Sequence, residues 1–381
     1  MYIENSMKIL FDLSGHDSIY SGVTIYALRT LSGFVKNGYK DVTILCEPKL
    51  YDYVTNTFPD YESIKCESLK VCRFRLVVKG YYWSRLVNQS DADVVFSPHP
   101  SCLGYLFTKK KIVQTVHDLQ PLKVYKGLPR VVYALLFPFI LLRSERIITI
   151  SDYVKKEIER VYPFISRSKI ETIYNSVAVD DTYYGTSPLQ AGYLLYVSSL
   201  LKYKNVLTLL KAYNLIKEQI NRKLVIIGRV INLADDSWEK EALPFIQKNH
   251  LERFIIHISQ PLADDELSRY FQFTDLFIHP SLLEGFGYTP IEAAIHKVPV
   301  LTTKETALYE TTMGLLNYYS PATDEHALAE KILLLLENKV APEELERISE
   351  TLKKQYDYCN QSRKIYDLLL KTFTSGSFMG R

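Results

Sequence analysis

A chain of 381 residues is long for a single hydrophobic core, and 47% hydrophobic with 23% charged residues is ordinary for a soluble globular fold, so two domains are expected. A formal net charge of +3 excludes a strong nucleic-acid field; the bias sits early, with 24 Lys and Arg against 19 Asp and Glu in residues 1–190, which suits an anionic surface or acceptor. Five scattered cysteines make neither a C-x-x-C pair nor a zinc spacing, which favours reduced thiols and a cytoplasmic setting.

The opening residues lack the charged and apolar regions of a signal peptide. Residues 8–13 (KILFDL) read as the first strand of an α/β domain. A loop follows, then a helix over 23–36 with Ile25, Leu28, Leu31 and Val35 on one face. Gly15 and Gly22 flank the strand-to-helix turn, where they either let backbone approach a ligand or simply shape the turn. Residues 42–46 read as a strand and 48–56 as a helix. The stretch 65–85 carries Lys65, Lys70, Arg73, Arg75, Lys79 and Arg85 against the single acid Glu67, with aromatics interleaved. It is either a membrane-contacting segment or a solvated helix whose apolar face packs on the sheet. Asp91-Ala92-Asp93 runs directly into the strand 94–96, so its carboxylates belong to a strand-entry turn rather than to a metal site beyond a strand's carboxyl end.

The strand 112–116 ends in His117-Asp118, which points a histidine into the crevice where such sheets bind ligands. The apolar run 131–142 contains Pro138 and is too short to cross a bilayer. Strands are expected at 146–150, where Ser151 opens a helix, and at 170–175; a linker is expected at 180–191. The second half restarts with the strand 193–197, then Ser198-Ser199, Lys204-Asn205 and a helix over 206–216, with Asn205 as N-cap. A strand at 224–227 ends in Gly228-Arg229, and another covers 254–258. Residues 276–278 lead to Glu284, Gly285-Phe286-Gly287, Tyr288 and Thr289-Pro290-Ile291-Glu292. Thr289 as N-cap, Pro290 at the first helical position and Glu292 at N3 make a capping box. A helix N-terminus behind a glycine loop presents N–H groups to an anion. Helices close the chain, the last over about 356–375, which is long enough to reach back to the first domain.

Glu284 and Glu292, eight apart around Gly-Phe-Gly, resemble the signature of the retaining glycosyltransferases of family 4. The His117-Asp118 loop, Ser151, Lys204-Asn205 and the 306–310 loop fall in that family's order. The resemblance implies an α/β, two-domain GT-B fold of Rossmann-like halves, here residues 1–185 (joined by the final helix) and 190–350, with the donor site in the cleft between them. It implies Glu284, His117 and Lys204 as catalytic residues. Gly22, Ser199, Arg229, Gly285, Phe286, Gly287, Tyr288 and Glu292 become donor-binding residues, with Glu292 on the ribose. Ser199 replaces the family's phosphate-binding arginine, which leaves Lys204 the larger share of the diphosphate. The partners implied are a nucleotide-diphosphate sugar and a glycan or polyprenyl-linked glycan, for surface polysaccharide such as capsule, O-antigen or exopolysaccharide. No cofactor and no metal are expected, no nucleic acid, and a cytoplasmic location on the inner face of the membrane. A GT-B sugar-nucleotide epimerase and a non-catalytic nucleotide-sugar-binding protein are the alternatives.

Overall fold

The computed structural model describes residues 7–16, 18–19, 21–66, 75–99, 103–179, 182–230 and 235–375, the side chains of 75–77 aside. The chain divides into two compact units, Met1–Ser176 with Asp357–Arg381, and Val177–Tyr356.

Among the described residues the first unit holds seven parallel strands: β1 (Ile9–Leu13), β2 (Val42–Cys46), β3 (Glu62–Lys65), β4 (Val94–Ser97), β5 (Lys111–Val116), β6 (Arg146–Thr149) and β7 (Ile170–Thr172). Their order is β3-β2-β1-β4-β5-β6-β7, so the winding reverses between β1 and β4, a topological switch point. Helices cover both faces, which is why β1, β2 and β4 read as nearly continuous apolar runs. The edge strand β3 escapes a sequence reading because ESIK is polar and part-exposed throughout. Ser21 caps the helix Gly22–Lys36, its hydroxyl accepting from the Thr24 N–H at 3.2 Å. The helix Tyr358–Thr374 packs against it at Gly33, where a Cβ would lie 2.4 Å from Ser362 Oγ. Lys111 Nζ fastens that helix's far end, donating to the Thr372 and Phe373 carbonyls at 2.8 and 3.0 Å.

Asp93 accepts from the Lys8 N–H at 2.9 Å and Asp91 pairs with the Lys8 ammonium, so the Asp-x-Asp pair closes the turn into β4 at the amino end of the sheet. Of the basic stretch 65–85, residues 67–74 lie outside the described residues. The helix Arg75–Gln89 buries Trp83 and Val87 in the core. Its Lys79 turns inward, to the Ser14 carbonyl at 3.0 Å and Glu47 at 3.2 Å, so that charge is already committed within the fold.

Among the described residues the second unit holds six parallel strands: β8 (Tyr193–Val197), β9 (Lys223–Ile227), β10 (Ile255–Ile258), β11 (Leu276–His279), β12 (Val300–Thr302) and β13 (Asn317–Tyr318). The order β10-β9-β8-β11-β12-β13 puts the switch point between β8 and β11. The helix Val206–Ile220 buries Leu209, Tyr213 and Ile216 against Leu194, Tyr196 and Ile226. Gly228 closes the end of β9 so tightly that a Cβ there would stand 1.9 Å from the Ser198 carbonyl oxygen. Among the described residues no helix is long and apolar enough to cross a membrane.

Candidate functional site

The second unit gathers charge at its switch point. β11 delivers His279 and, five residues on, Glu284; the 3₁₀ turn Lys202–Lys204 after β8 delivers Lys204. One carboxylate oxygen, Glu284 Oε1, accepts from Lys204 Nζ at 2.6 Å and from His279 Nε2 at 2.9 Å. All three side chains are largely or fully buried. Burial alone would raise the Glu284 pKa; the Lys204 charge first, then the His279 bond, outweigh it and hold the carboxyl down at about 2. With Nε2–H given to Glu284, His279 Nδ1 faces Thr289 Oγ1 at 3.3 Å. Below the carboxylate, the Glu284 N–H donates to Thr306 Oγ1 at 2.8 Å. Thr306 sits at φ 54°, a left-handed conformation that a β-branched residue rarely tolerates.

The glycine loop differs from its sequence reading in one respect. The helix runs Tyr288–Ile295 with Gly287 as N-cap at φ 89°, so Thr289, Pro290 and Glu292 lie two residues deeper than a capping box requires, and no box forms. The reason is steric. Gly287 adopts a backbone no other residue takes easily, and a Cβ there would meet Leu308 Cδ2 at 2.6 Å. Thr289 is thereby released to face His279 instead of capping. Phe286 likewise points inward: its ring is 2% exposed and packs on Tyr356 and Tyr288, each with centroids 5.2 Å away. Only its backbone remains for a ligand, and its carbonyl accepts from Thr311 Oγ1 at 2.5 Å. Gly285 is buried, while Tyr288 and Glu292 are part-exposed at the mouth of the helix.

The remaining donor-side residues also end strands. Ser199 follows β8, its carbonyl accepting from Tyr196 Oη at 3.5 Å. Arg229 follows β9 and is exposed. Lys202, two residues from Lys204, is drawn away to Glu241 at 2.6 Å. Asn205 does hold the N-cap position of its helix, but at φ 61° and without a side-chain bond to the helix backbone. Its amide instead donates to the Pro280 and Ala322 carbonyls, at 3.1 and 2.9 Å, which pins the Lys204 turn to the end of β11.

In the first unit His117 ends β5, buried, with Nε2 donating to the Pro98 carbonyl at 2.8 Å and its ring edge-on to Tyr26. It stands in a row with His99 and His16, at ring spacings of 6.0 and 6.5 Å. Beside them Asp12, in β1, accepts from Ser14 Oγ at 2.6 Å and from Tyr105 Oη at 2.5 Å. Burial pushes all three imidazoles down, His16 and His117 to about 3 and His99 to about 4, so they are neutral. Gly22 begins the helix capped by Ser21 at this same carboxyl end. The cavity of about 590 Å³ lined by Lys8, Asp41, Asp60 and Asp91 lies at the opposite, amino end of the sheet.

His279, Thr306, Asp12, His16 and His99 were not singled out from the sequence. His279 carried a usable signal, since it closes a parallel strand as His117 does. So did Asp12, the one acid inside an apolar strand, whereas Thr306, His16 and His99 depend on loop conformations that have no local pattern.

Two family models match the chain, "Glycosyltransferase Family 4" over residues 20–181 and "Glycosyl transferases group 1" over residues 186–355. The capsular polysaccharide biosynthesis glycosyltransferase CapM of Staphylococcus aureus is 27% identical over 177 residues, 46% of this chain and 42% of that protein. The O-antigen chain mannosyltransferase B of Escherichia coli is 25% identical over 208 residues, 51% of this chain and 52% of that one. The chain thus spans about half the length of the curated relatives it matches. Among solved structures, Anabaena HepE in complex with UDP-glucose superposes with a TM-score of 0.74 at 16% identity, covering 96% of this chain and 100% of the other. At that identity the likeness speaks for the fold alone, the α/β GT-B type with two Rossmann-like units.

Proposed function

The chain belongs to the family 4 glycosyltransferases, whose two models together account for residues 20–181 and 186–355, and from that premise we propose that it moves a sugar from a nucleotide-diphosphate sugar to a growing glycan with retention of anomeric configuration. The observation that carries this reading is the buried Glu284, held ionised by Lys204 and His279 at the β8/β11 switch point in front of a helix N-terminus. A fixed carboxylate can orient sugar hydroxyls, and a buried ammonium with loop N–H groups can meet the negative charge that builds on a departing diphosphate. In the step itself the C1–oxygen bond to the diphosphate breaks and a bond from C1 to the acceptor oxygen forms on the same face. The acceptor's proton passes to the leaving phosphate. Lys204 is shared between carboxylate and diphosphate, so donor binding draws it partly off Glu284 while His279 keeps its bond to that carboxylate.

Glu292, one turn into the helix, is assigned to the ribose, Gly285 to Tyr288 to sugar and diphosphate, and neutral His117 to the sugar as a hydrogen-bonding group. A UDP-glucose complex of a protein with this fold, and relatives named for capsule and O-antigen synthesis, support a nucleotide-sugar donor and a surface-polysaccharide acceptor; that the acceptor is lipid-linked and met at the cytoplasmic face is part of the same proposal. Transfer is proposed to be metal-independent, because the Asp-x-Asp carboxylates are spent on Lys8 at the wrong end of their sheet. The test is hydrolysis of a panel of nucleotide sugars without acceptor, with the anomer of the released sugar followed by NMR and the assay repeated in EDTA. Release of the α-anomer from an α-linked donor, unchanged by EDTA, is expected. An inverted product, a C2 epimer, or no turnover of any donor that binds would each overturn the reading.

A further inference from the structure

Helix Leu128–Arg143 is apolar on two opposite faces. Towards the interior it buries Phe137, Ile140 and Leu141, with the Tyr133 ring stacked on Phe137 at 4.7 Å. The other face carries Leu128, Val131, Val132, Leu135, Phe139 and Leu142, all exposed, Leu128 by 73%, Leu135 by 62% and Phe139 by 57%. At about 100° per residue these six fall in a stripe roughly 100° wide, directly across the helix from the buried three. Single exposed apolar residues need no explanation, but a contiguous row of six along one helix marks a surface that something covers. Packing within the unit accounts for the first face only.

The surrounding charge identifies the cover. From Leu119 to Ser144 the chain has Lys123, Lys126, Arg130 and Arg143 and no Asp or Glu. Lys123 is tied to Glu157, and Arg143 to the carbonyls of Thr108 and Lys110. Lys126 and Arg130 stand exposed at the start of the helix, and Lys109, between the two carbonyls that Arg143 holds, is exposed beside its end. A second copy offering the same face would set cations against cations. An apolar stripe bracketed by unopposed cations matches an anionic phospholipid leaflet. We propose that this face seats at the boundary between headgroups and acyl chains, with the helix lying in the membrane plane. The proposal goes beyond a lipid-linked acceptor and does not depend on one.

The test is flotation of the whole protein with vesicles of phosphatidylglycerol and phosphatidylcholine, and with phosphatidylcholine alone, neither containing acceptor. Binding to the anionic vesicles is expected to be at least about tenfold tighter than to the neutral ones, and to weaken with salt. Leu135→Glu with Phe139→Glu should lose at least about tenfold on anionic vesicles, with far-UV circular dichroism and thermal unfolding as in the parent, because both side chains are exposed. Lys126→Glu with Arg130→Glu should erase the preference for anionic lipid, and this second pair serves if the first fails to fold. A parent that ignores anionic vesicles, or either folded pair binding as the parent does, overturns the proposal. So does a parent dimer that Leu135→Glu with Phe139→Glu disperses without any vesicle binding, which would make the face a self-interface. Donor hydrolysis on the same samples separates failure of the transfer reading from failure of this one.

Discussion

Glu284 keeps its charge in a buried place because Lys204, at 2.6 Å, and the His279 ring, at 2.9 Å, meet on one of its oxygens. Removing one partner of such a pair leaves an uncompensated buried charge, a loss of ~3–5 kcal/mol, whereas removing both is far milder. Lys204→Met should therefore destabilise the protein by about that amount in urea unfolding, and Lys204→Met with Glu284→Gln should recover most of it. Equal losses for the single and double variants would mean the pair is not formed. In single-turnover transfer Lys204→Ala should fall by ~10²- to 10³-fold while Lys202→Ala, engaged with Glu241, stays near the parent. The three buried histidines set a second expectation. Their folded pKa values, about 3 to 4, lie below the ordinary 6.5, so between those limits the unfolded chain binds more protons and stability rises with pH. Acidification from pH 7 to 5 should lower the urea midpoint, each histidine contributing up to ~1.4 kcal/mol per pH unit below its unfolded value. Glu284 adds to the loss only as pH falls from 4.5 towards 2. A midpoint flat between pH 7 and 5 would show that these imidazoles are not held neutral.

At the scale of elements, the helix Tyr288–Ile295 shows what a sequence pattern conveys and what it leaves out. Thr-Pro-Ile-Glu has the composition of a capping box, and a local reading starts the helix at Pro290. The structure starts it two residues earlier, because Gly287 accepts φ 89° and sits under Leu308, a contact made twenty-one residues on. Glu292 thus stands at N5 rather than at N3, so its substitution disturbs no capping box. Glu292→Gln keeps the side chain's length and its capacity to accept a hydrogen bond, so the fold should be retained, as far-UV circular dichroism would show. It should weaken nucleotide binding by ~1.5–3 kcal/mol, the range for a hydrogen bond to a charged group. Titration calorimetry with the donor nucleotide checks this, and undiminished affinity removes Glu292 from the ribose. Most strands and helices were legible because parallel strands buried on both faces stand out as apolar runs. β3 was not, since an edge strand with a polar sequence has no such contrast. Of the candidate residues, Glu284 and Lys204 in the second unit and His117 in the first were legible because each falls in a motif that follows a strand. Thr306 was not, because a left-handed threonine is a property of a loop rather than of its composition.

For the whole molecule, the order in which the chain visits its units matters as much as their shapes. The unit Val177–Tyr356 is one continuous segment, whereas the first unit takes its helix Tyr358–Thr374 from beyond it. That helix is no ornament to the first core: Ile365, Leu368 and Leu369 are buried with Leu31, Phe34 and Phe11, and Tyr366 stacks on Tyr39 at 3.7 Å. On the ribosome this imposes a schedule. The seventh strand of the first unit is made about 180 residues before the helix that covers its core, a wait of roughly 10–40 s at ordinary elongation rates. In that interval the later-made unit has its full sequence first, and the earlier-made one exposes Leu31 and Phe34 to chaperones and proteases. Nascent chains ending at residue 356 and followed by an unstructured linker long enough to clear the exit tunnel should therefore show the first unit cleaved readily by added protease and the second resistant. The same linker placed after residue 375 should protect both. Protection of the first unit at the earlier arrest point would mean its core closes without the returning helix. A message truncated just upstream of that helix would accordingly yield a folded second unit tethered to a first unit open to degradation.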